Sequence, residues 1–168
     1  MTANIVNQSS TPLNEKNEWR TPPEVFRWAS KLVGGFDYDT ACRNCNALAP
    51  PIWTYTGHFD ALLVSWDGSG AAWCNPPYDD IDPWSNKAIA SSCVTALLVP
   101  SVNGEARYAS LIRAAHEIVI IGRLAFLRPD GTPVSGNTRG SSLFVINGYG
   151  QGSRSFVERD WIMEKYKQ

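Results

Sequence analysis

The sequence predicts a single α/β domain with an open sheet. Segments typical of strands and segments typical of helices alternate along the chain, which is the pattern of an α/β fold. The run from Val94 to Val99 is apolar throughout, as expected for a strand in a sheet that is covered on both faces. With 168 residues, the chain is long enough to build one domain with its own hydrophobic core.

The first element of the domain is expected to be a helix. Residues 1–16 are polar and lack periodicity, so we expect a flexible tail, followed by one domain over residues 17–168. Thr21-x-x-Glu24 is typical of a capping box, with Pro22 at the first helical position. Apolar residues then recur on one helical face, at Val25, Phe26, Ala29, Leu32 and Val33. Gly34-Gly35 is expected to end this helix.

Short strands are predicted on either side of an irregular region. Phe36 to Asp39 is expected to be the first strand, and a weak strand is predicted near Ala61 to Ser65. Ala71 to Cys74 is apolar and leads directly into Asn75, so we expect this strand to deliver the loop that follows it.

The second half of the chain continues the alternation. The predicted elements are a helix from Asp82 to about Ser91, a strand over Val94–Val99, a loop over Pro100–Gly104, a helix to about Ala115, strands over Glu117–Ile121 and Leu143–Ile146, and a terminal helix over Ser153–Lys167.

The loop Asn75-Pro76-Pro77-Tyr78 is the most informative part of the sequence. It follows the apolar strand and precedes an acidic segment, Asp79 to Asp82. Open α/β sheets bind their ligands in loops at the carboxyl ends of strands. The sequence therefore predicts a binding site at this loop. The alternative is that Asn-Pro-Pro-Tyr is only a turn, since Asn and Pro are favoured turn residues.

The chemistry suited to this loop is methyl transfer to a planar amino group such as adenine N6. Such a nitrogen is a poor nucleophile because its lone pair is delocalised into the ring. Two acceptors that converge on its N–H groups favour a pyramidal nitrogen with a localised lone pair. The side-chain oxygen of Asn75 and the backbone carbonyl of Pro76, held stiffly by the Pro-Pro step, can be these acceptors. Tyr78 offers a ring face for stacking a base, worth roughly 1–3 kcal/mol.

With its neighbours, the loop resembles the phage-type DNA N6-adenine methyltransferases, which depend on S-adenosylmethionine. The similarity covers about Asn17 to Asn147, and its specificity comes from the order of the pieces. The matching pieces are Glu18-Trp19-Arg20-Thr21-Pro22 with Val25-Phe26, Phe36-Asp37-Tyr38-Asp39-Thr40-Ala41 with Asn46-Ala47, Asp60-Ala61-Leu62 with Trp66, Trp73-Cys74-Asn75-Pro76-Pro77-Tyr78 with Trp84 and Lys87-Ala88, and Gly122-Arg123-Leu124 with Phe126.

The resemblance implies a Rossmann-like class I methyltransferase sheet and a role for each matching segment. Asn75, Pro76, Pro77 and Tyr78 match the catalytic loop of the family. The segments Trp19 to Pro22 and Asp39 to Ala41 look like its cofactor-binding segments, with Trp19, Thr21, Pro22, Asp39, Thr40 and Ala41 as the candidate residues. Asp60 matches the acidic residue that faces the adenosine of the cofactor. The implied reaction moves the methyl group of S-adenosylmethionine to adenine N6 in double-stranded DNA, with the base flipped out of the duplex at a cost of a few kcal/mol.

This sequence departs from the family in two places. The glycine-rich turn of most methyltransferases is missing, because Thr40, Ala41, Cys42 and Arg43 follow Asp39. Only 35 residues separate Asp39 from Asn75, whereas one βαβ unit alone takes ~30 residues. We therefore expect one element of the usual seven-stranded sheet to be shortened or missing, which leaves open which acidic residue binds the ribose.

The segment from Arg128 to Gly140 is the candidate for DNA contact. It is rich in Gly, Pro, Ser and Thr and is long for a hairpin loop. Its candidate contacts to phosphates or base edges are Arg128, Asn137, Thr138, Arg139 and Ser141. Arg123, near a strand end, is a further candidate. The alternative is a surface loop with no role.

Composition limits the other possibilities. The net charge of −1 argues against a protein that coats nucleic acid, because such binding depends on Lys and Arg side chains that neutralise phosphates. Ten of the fifteen cationic residues are nevertheless Arg, which suits local contacts to phosphates. The four cysteines include one Cys-x-x-Cys, Cys42 to Cys45, without a second pair, so we expect packed thiols and no metal. The chain lacks an apolar run of membrane length and a hydrophobic signal segment, so we expect no membrane and a cytoplasmic protein, in the bacterial host if it is phage-encoded.

Four questions stay open at this stage. The acceptor could instead be RNA adenine, cytosine N4 or a protein glutamine, because each presents a planar amino group. The chain could also be a non-catalytic DNA- or nucleotide-binding protein on a methyltransferase scaffold. Neither the DNA recognition sequence nor the oligomeric state is indicated by the sequence.

Overall fold

Six strands form one sheet in this chain. The computed structural model describes residues 18–42, 47–49, 60–68, 70–101, 106–134 and 139–167. The strands are β1 (Tyr38–Asp39), β2 (Ala71–Cys74), β3 (Val94–Pro100), β4 (Ala115–Ile121), β5 (Ser141–Ile146) and β6 (Arg154–Glu158), and the helices are α1 (Pro23–Val33), α2 (Ile81–Ala90), α3 (Ala106–Ala114) and α4 (Arg159–Lys165). The strand order is β1-β2-β3-β5-β4-β6.

The sheet is parallel except at β5. Strands β1, β2 and β3 pair in parallel, as do β4 and β6, whereas β5 is inserted antiparallel between β3 and β4. The prediction of an α/β fold is confirmed. Strand β1 is only two residues long, and no strand lies between β1 and β2 among the described residues of that interval. Both features fit the expectation of a shortened or missing element.

Helices cover both faces of the sheet, which explains the uninterrupted apolar run in β3. Leu97 and Val99 point into a core with α2 and α3, while Ala96 and Leu98 point into a core with α1 and α4. The first core contains Ala72, Cys74, Trp84, Ala88, Leu111 and Phe144, and the second contains Val25, Trp28, Trp73, Leu143, Val145 and Ile162. Each fully buried leucine contributes about 1.5–3 kcal/mol by leaving water. Within the described ranges, no helix is both long and apolar enough to cross a bilayer.

Helix α1 ends as predicted but begins differently. Gly34 adopts the left-handed conformation, with φ of 84°, and its N–H donates to the carbonyl of Ser30. The capping box was a wrong prediction, because Pro22 is the N-cap residue and no side chain caps this helix. Pro22 and Pro23 have no N–H groups, which leaves fewer donors for a cap to satisfy. The hydroxyl of Thr21 is instead directed to the loop after β2.

The predicted terminal helix over Ser153–Lys167 is also wrong in its first part. Arg154–Glu158 is strand β6, which pairs in parallel with β4, and only Arg159–Lys165 is helical. The pairing with β4 supplies hydrogen bonds that a local helix would otherwise have to make, so tertiary context decides the conformation. Along β6, exposed residues alternate with partly buried ones, as in a strand.

The weak strand predicted near Ala61 to Ser65 is a turn. The carboxylate of Asp60 accepts a hydrogen bond from the N–H of Leu62 at 2.9 Å, and the N–H of Leu63 donates to the carbonyl of Asp60 at 2.9 Å. This local side-chain bond favours a turn over a strand. The indole of Trp66 then closes the segment by donating to the carbonyl of Ala61 at 2.8 Å. The predicted tail over residues 1–16 lies outside the described residues.

Candidate active site

The carboxyl ends of β1 and β2 lie side by side, and this positions the candidate site. Asp39 is in register with Trp73, so the residues that follow each strand emerge at the same edge of the sheet. Thr40 extends this pairing, because its N–H and its hydroxyl both donate to the carbonyl of Trp73, at 2.9 and 3.0 Å. The segment after Asp39 and the loop that starts at Asn75 are therefore neighbours.

A cleft opens at this edge, and it brings together most of the residues predicted for catalysis and cofactor binding. Of those residues, the ones that line it are Trp19, Thr21, Asp39, Ala41, Asn75, Pro76, Pro77 and Tyr78. It is also lined by Arg20, which lies within the predicted cofactor-binding segment, and by four residues that sequence reasoning did not assign to the site, namely Cys42, Leu48, Trp73 and Phe126. The loop after β2 is thus directed into a cavity rather than packed away as a simple turn.

Three predicted cofactor residues lie outside the lining of the cleft. Pro22 is buried at the start of α1, where its carbonyl accepts the N–H of Val25 at 3.0 Å. Thr40 is buried beneath the cleft, on the carbonyl of Trp73. The carboxylate of Asp60 binds the N–H of Leu62 in the turn described above. These positions indicate supporting roles for the first two residues.

The side-chain amide of Asn75 has one occupied end and one open end. Its Nδ2 donates to Oγ1 of Thr21 at 3.1 Å. Its Oδ1 is buried and has no hydrogen-bond partner among the described residues. A buried acceptor without a partner costs about 1–3 kcal/mol. This unsatisfied oxygen is therefore available to a donor group on a ligand in the cleft.

Within the described part of the chain, one of the two proline carbonyls in the loop accepts a hydrogen bond and the other does not. The carbonyl of Pro77 accepts the N–H of Asp80 at 3.2 Å. The hydrogen bonds between described residues include none to the carbonyl of Pro76. Neither proline carries an N–H that could compete for it. The loop thus offers a second stiffly held acceptor, one residue after Asn75.

Aromatic rings form one wall of the cleft. The ring of Tyr78 meets Phe126 edge to face, with centroids 5.7 Å apart and planes at 87°. Trp19 stacks on the same phenylalanine, with centroids 6.3 Å apart and planes at 20°. The hydroxyl of Tyr78 is buried and has no partner within the described part of the chain. Burial raises the pKa of this phenol, so it stays neutral at physiological pH.

Asp39 supplies a buried carboxyl group to the cleft. It is 3% exposed, and one of its oxygens accepts the N–H of Leu48 at 3.1 Å. Burial raises the pKa of this carboxyl group to about 6, although the hydrogen bond from Leu48 opposes the shift. The thiol of Cys42 donates to the backbone carbonyl of Asp39 at 3.2 Å, which fixes the segment that follows β1.

Arg20 supplies a positive charge to the same cleft. Its main chain is bridged to Leu127 by two hydrogen bonds, N–H to carbonyl in both directions, at 2.8 and 2.9 Å. Its Nε is buried and lacks a hydrogen-bond partner among the described residues. Arg20 lies within the predicted cofactor-binding segment, Trp19 to Pro22, but the sequence did not single out its side chain.

The arginines predicted to bind DNA do not line the cleft. Arg123, Arg128 and Arg139 are exposed, whereas Asn137 and Thr138 lie outside the described residues. The guanidinium of Arg128 donates to the carbonyl of Pro133 at 2.9 Å, within its own loop. Arg123 and Arg128 flank the segment that contributes Phe126 to the cleft wall. The segment that contributes Phe126 therefore has an exposed arginine on each side of it in the sequence.

The described cysteines are packed thiols. Cys42, Cys74 and Cys93 are buried, and burial raises the pKa of Cys74 well above its usual range, which keeps it unreactive. In the part of the chain that the structure describes, no group of three or more His, Cys, Asp or Glu residues is placed to hold a metal ion.

Comparisons with known proteins agree on one family. The profile of the family described as DNA N-6-adenine-methyltransferase (Dam) matches residues 8–168. A DNA N-6-adenine-methyltransferase of Escherichia phage T1 is 27% identical in an alignment of length 164, and the alignment covers 86% of this chain and 68% of that protein. A DNA N-6-adenine-methyltransferase of Haemophilus phage HP1 (strain HP1c1) is 27% identical in an alignment of length 172, and the alignment covers 96% of this chain and 98% of that protein. No solved structure matches the chain.

Proposed function

Because the chain belongs to the DNA N-6-adenine-methyltransferase (Dam) family, we propose that it transfers the methyl group of S-adenosylmethionine to adenine N6 in double-stranded DNA, and that the target base is flipped into the cleft beside Asn75. The chain is an adenine-specific DNA methyltransferase by family. The cofactor, the flipping step and the roles of individual residues are our proposals.

The observation that carries the proposal is the pair of open acceptors in the loop. The unsatisfied Oδ1 of Asn75 and the carbonyl of Pro76 belong to consecutive residues that line one cleft. Adenine N6 has two N–H groups, which match these two acceptors. Bonds from both favour a localised lone pair and stabilise the positive charge that develops on the nitrogen in the transition state. The neutral hydroxyl of Tyr78 is not required as a base.

The residues of the cleft also fit S-adenosylmethionine. This cofactor carries a carboxylate, an ammonium group and ribose hydroxyls, and its sulfonium carbon supplies the methyl group. The carboxyl group of Asp39, with a pKa of about 6, is ionised at neutral pH and suits an ammonium or hydroxyl donor. The buried, unsatisfied Nε of Arg20 suits a carboxylate. The cleft thus offers one charge of each sign to a zwitterionic ligand.

The aromatic wall suits the flipped base. The perpendicular contact with Phe126 holds the Tyr78 ring in place, and we propose that this ring stacks on adenine. Burying a base against this wall offsets the few kcal/mol that extrusion from the duplex costs. We propose that the exposed side chains of Arg123, Arg128 and Arg139 bind DNA phosphates, with Asn137 as a further contact. The substrate would then be DNA in the cytoplasm of a bacterial host, as suits relatives from phages.

Substitution of Asn75 tests the proposal directly. In assays with tritiated S-adenosylmethionine, DNA, RNA and protein are offered in parallel to the wild type, Asn75→Ala and Asn86→Ala. Asn86 is exposed on α2 and serves as the matched control. We expect methyl transfer to DNA alone, its loss in Asn75→Ala, and cofactor binding near the wild-type level by calorimetry in all three proteins. Methylation of DNA by Asn75→Ala at the wild-type rate would remove the amide from the mechanism.

A further inference from the structure

Strand β6 forms an open edge of the sheet. It pairs with β4 on one side, and the N–H of Glu117 donates to the carbonyl of Ser153 at 3.0 Å. Main-chain N–H and C=O groups alternate in direction along a strand, so the main-chain groups of Ser155 and Val157 also point toward β4. The main-chain groups of the alternate residues, Arg154, Phe156 and Glu158, therefore point away from the sheet. These three residues are exposed, and Phe156 is 66% exposed.

The helix that follows β6 does not cover this edge. Helix α4 turns back toward the centre of the sheet, where Ile162 is fully buried in the core shared with α1. At its start, Arg159 donates to the carbonyl of Arg123, just beyond the end of β4. Among the described residues, the outer edge of β6 is thus left without a neighbouring strand. An exposed edge with a large apolar side chain is a template for pairing with another strand.

We propose that β6 pairs antiparallel with β6 of a second copy of this chain, about a two-fold axis at Phe156. The argument is the charge pattern of the strand, Arg154-Ser155-Phe156-Val157-Glu158. Antiparallel pairing centred on Phe156 places each Arg154 opposite Glu158 of the other copy, and places the two phenylalanines against each other. Opposite charges that face each other across strands are stabilising, and like charges are destabilising. The edge is thus complementary to itself, as a two-fold interface requires.

The main-chain geometry agrees with this register. Arg154, Phe156 and Glu158 all direct their main-chain groups outward, so each facing pair in this register is a hydrogen-bonded pair of an antiparallel ladder. If the two β6 strands were shifted by one residue, the outward-pointing main-chain groups of one copy would lie opposite residues whose main-chain groups are already bonded to β4 in the other copy. The main chain and the charges therefore select the same alignment.

Neighbouring side chains extend the surface on both faces of the edge. Ile121, which is 42% exposed, is in register with Glu158 and lies on the same face of the sheet as Phe156. Trp161, which is 45% exposed, lies in the first turn of α4, on the other face. Arg154 is held at the edge by the buried carboxylate of Glu117, with Nε to Oε2 at 2.6 Å. The remaining guanidinium N–H groups of Arg154 suit Glu158 of the second copy.

The first test is the oligomeric state of the full chain. Light scattering after size exclusion should give twice the 18.5 kDa mass of the chain at micromolar concentration. Phe156→Asp and Glu158→Arg should each weaken self-association by roughly tenfold or more, because they introduce repulsion at the axis or across the strands. Leu63→Asp is the control, because Leu63 is also an exposed apolar residue, at 83% exposure, but belongs to the turn after Asp60 and not to β6. A monomeric wild type, or a Phe156→Asp protein that remains dimeric, overturns the proposal.

A disulfide trap tests the register itself and does not depend on the stability of a charged variant. Facing residues of a hydrogen-bonded pair have Cα atoms about 5.5 Å apart, which is within the range that a disulfide spans. In a Cys45→Ser background, Phe156→Cys should form a covalent dimer on mild oxidation, while Leu63→Cys should not. The three described native cysteines are buried and do not compete. Equal cross-linking at both positions would show random collision and would overturn the proposed register.

Discussion

Thr21 holds the side-chain amide of Asn75, with Oγ1 accepting from Nδ2 at 3.1 Å. This bond joins the segment before α1 to the loop after β2, across 54 residues of sequence. It matters because an amide has a donor end and an acceptor end, and only one of its two orientations presents Oδ1 to the substrate. Thr21 does not cap the helix as its sequence context predicts, and we propose that it positions Asn75 as the acceptor.

Thr21→Val is expected to lower kcat for DNA methylation by about tenfold to a hundredfold, the scale on which a mispositioned reacting group costs rate. Valine keeps the shape of the side chain but removes the acceptor, so the amide of Asn75 can rotate. The KM for S-adenosylmethionine should change little. Thr21→Ser is the control and should retain most activity. Steady-state kinetics of both variants distinguish the outcomes, and an unchanged kcat in Thr21→Val would mean that the amide is oriented by other contacts.

Tyr78→Phe is expected to keep most of the activity and to be at least as stable as the wild type. The hydroxyl of Tyr78 is buried without a partner among the described residues, so its removal relieves an unsatisfied polar group. Tyr78→Ala should lose turnover, because it removes the stacking ring and its contact with Phe126. Kinetics and thermal unfolding of both variants provide the measurement. If Tyr78→Phe were as inactive as Tyr78→Ala, the hydroxyl itself would be needed for the reaction.

Asp39→Asn is expected to stabilise the ligand-free protein at neutral pH, by about 1–2 kcal/mol, while weakening S-adenosylmethionine binding. The folded pKa of Asp39 is raised from 3.8 to about 6. Between these pH values the carboxyl group of Asp39 binds more protons in the folded chain than in the unfolded chain. The contribution of Asp39 to the free energy of unfolding therefore falls as pH rises through this range, and it is constant above about pH 6. Asparagine does not ionise, so the difference from the wild type should appear only as pH rises from about 4 to 6.

Urea unfolding of the wild type and Asp39→Asn across this pH range checks the prediction, with titration of S-adenosylmethionine at neutral pH. Asp37→Asn is a matched control, because Asp37 also accepts a main-chain bond, from Ala71, but does not line the cleft. A stability difference that is the same at low and neutral pH would show that ionisation of Asp39 is not its source.

The sequence predicts those parts of the site that depend on local pattern. The apolar run before Asn75 identifies β2, and the two prolines after it allow no continuation of the strand, so the loop can be recognised without the rest of the chain. The unbroken apolar run of β3 reflects burial on both faces, which needs no knowledge of the partners.

The remaining features depend on contacts between distant segments. The side chain of Thr21 is directed to Asn75 rather than to α1, and Arg20 lines the cleft because its main chain pairs with Leu127. Neither contact leaves a periodic signal in the sequence. Residues 154–158 were predicted to be helical because their strand conformation depends on the pairing with β4. The sequence therefore identifies the acceptor loop, while long-range packing decides how that loop is oriented.

Arg123→Ala and Arg128→Ala are expected to weaken DNA binding and to leave S-adenosylmethionine binding unchanged. Both side chains are exposed at the ends of the segment that contributes Phe126 to the cleft. A lysine or arginine bound to a phosphate releases counterions, so the loss of one contact should lower the slope of log Kd against log salt by about one. Arg113→Ala is the control, since Arg113 is exposed on α3, on the opposite face of the sheet from α1. Fluorescence anisotropy with a labelled duplex at several salt concentrations provides the measurement. Equal slopes in all four proteins would show that Arg123 and Arg128 do not bind DNA phosphates.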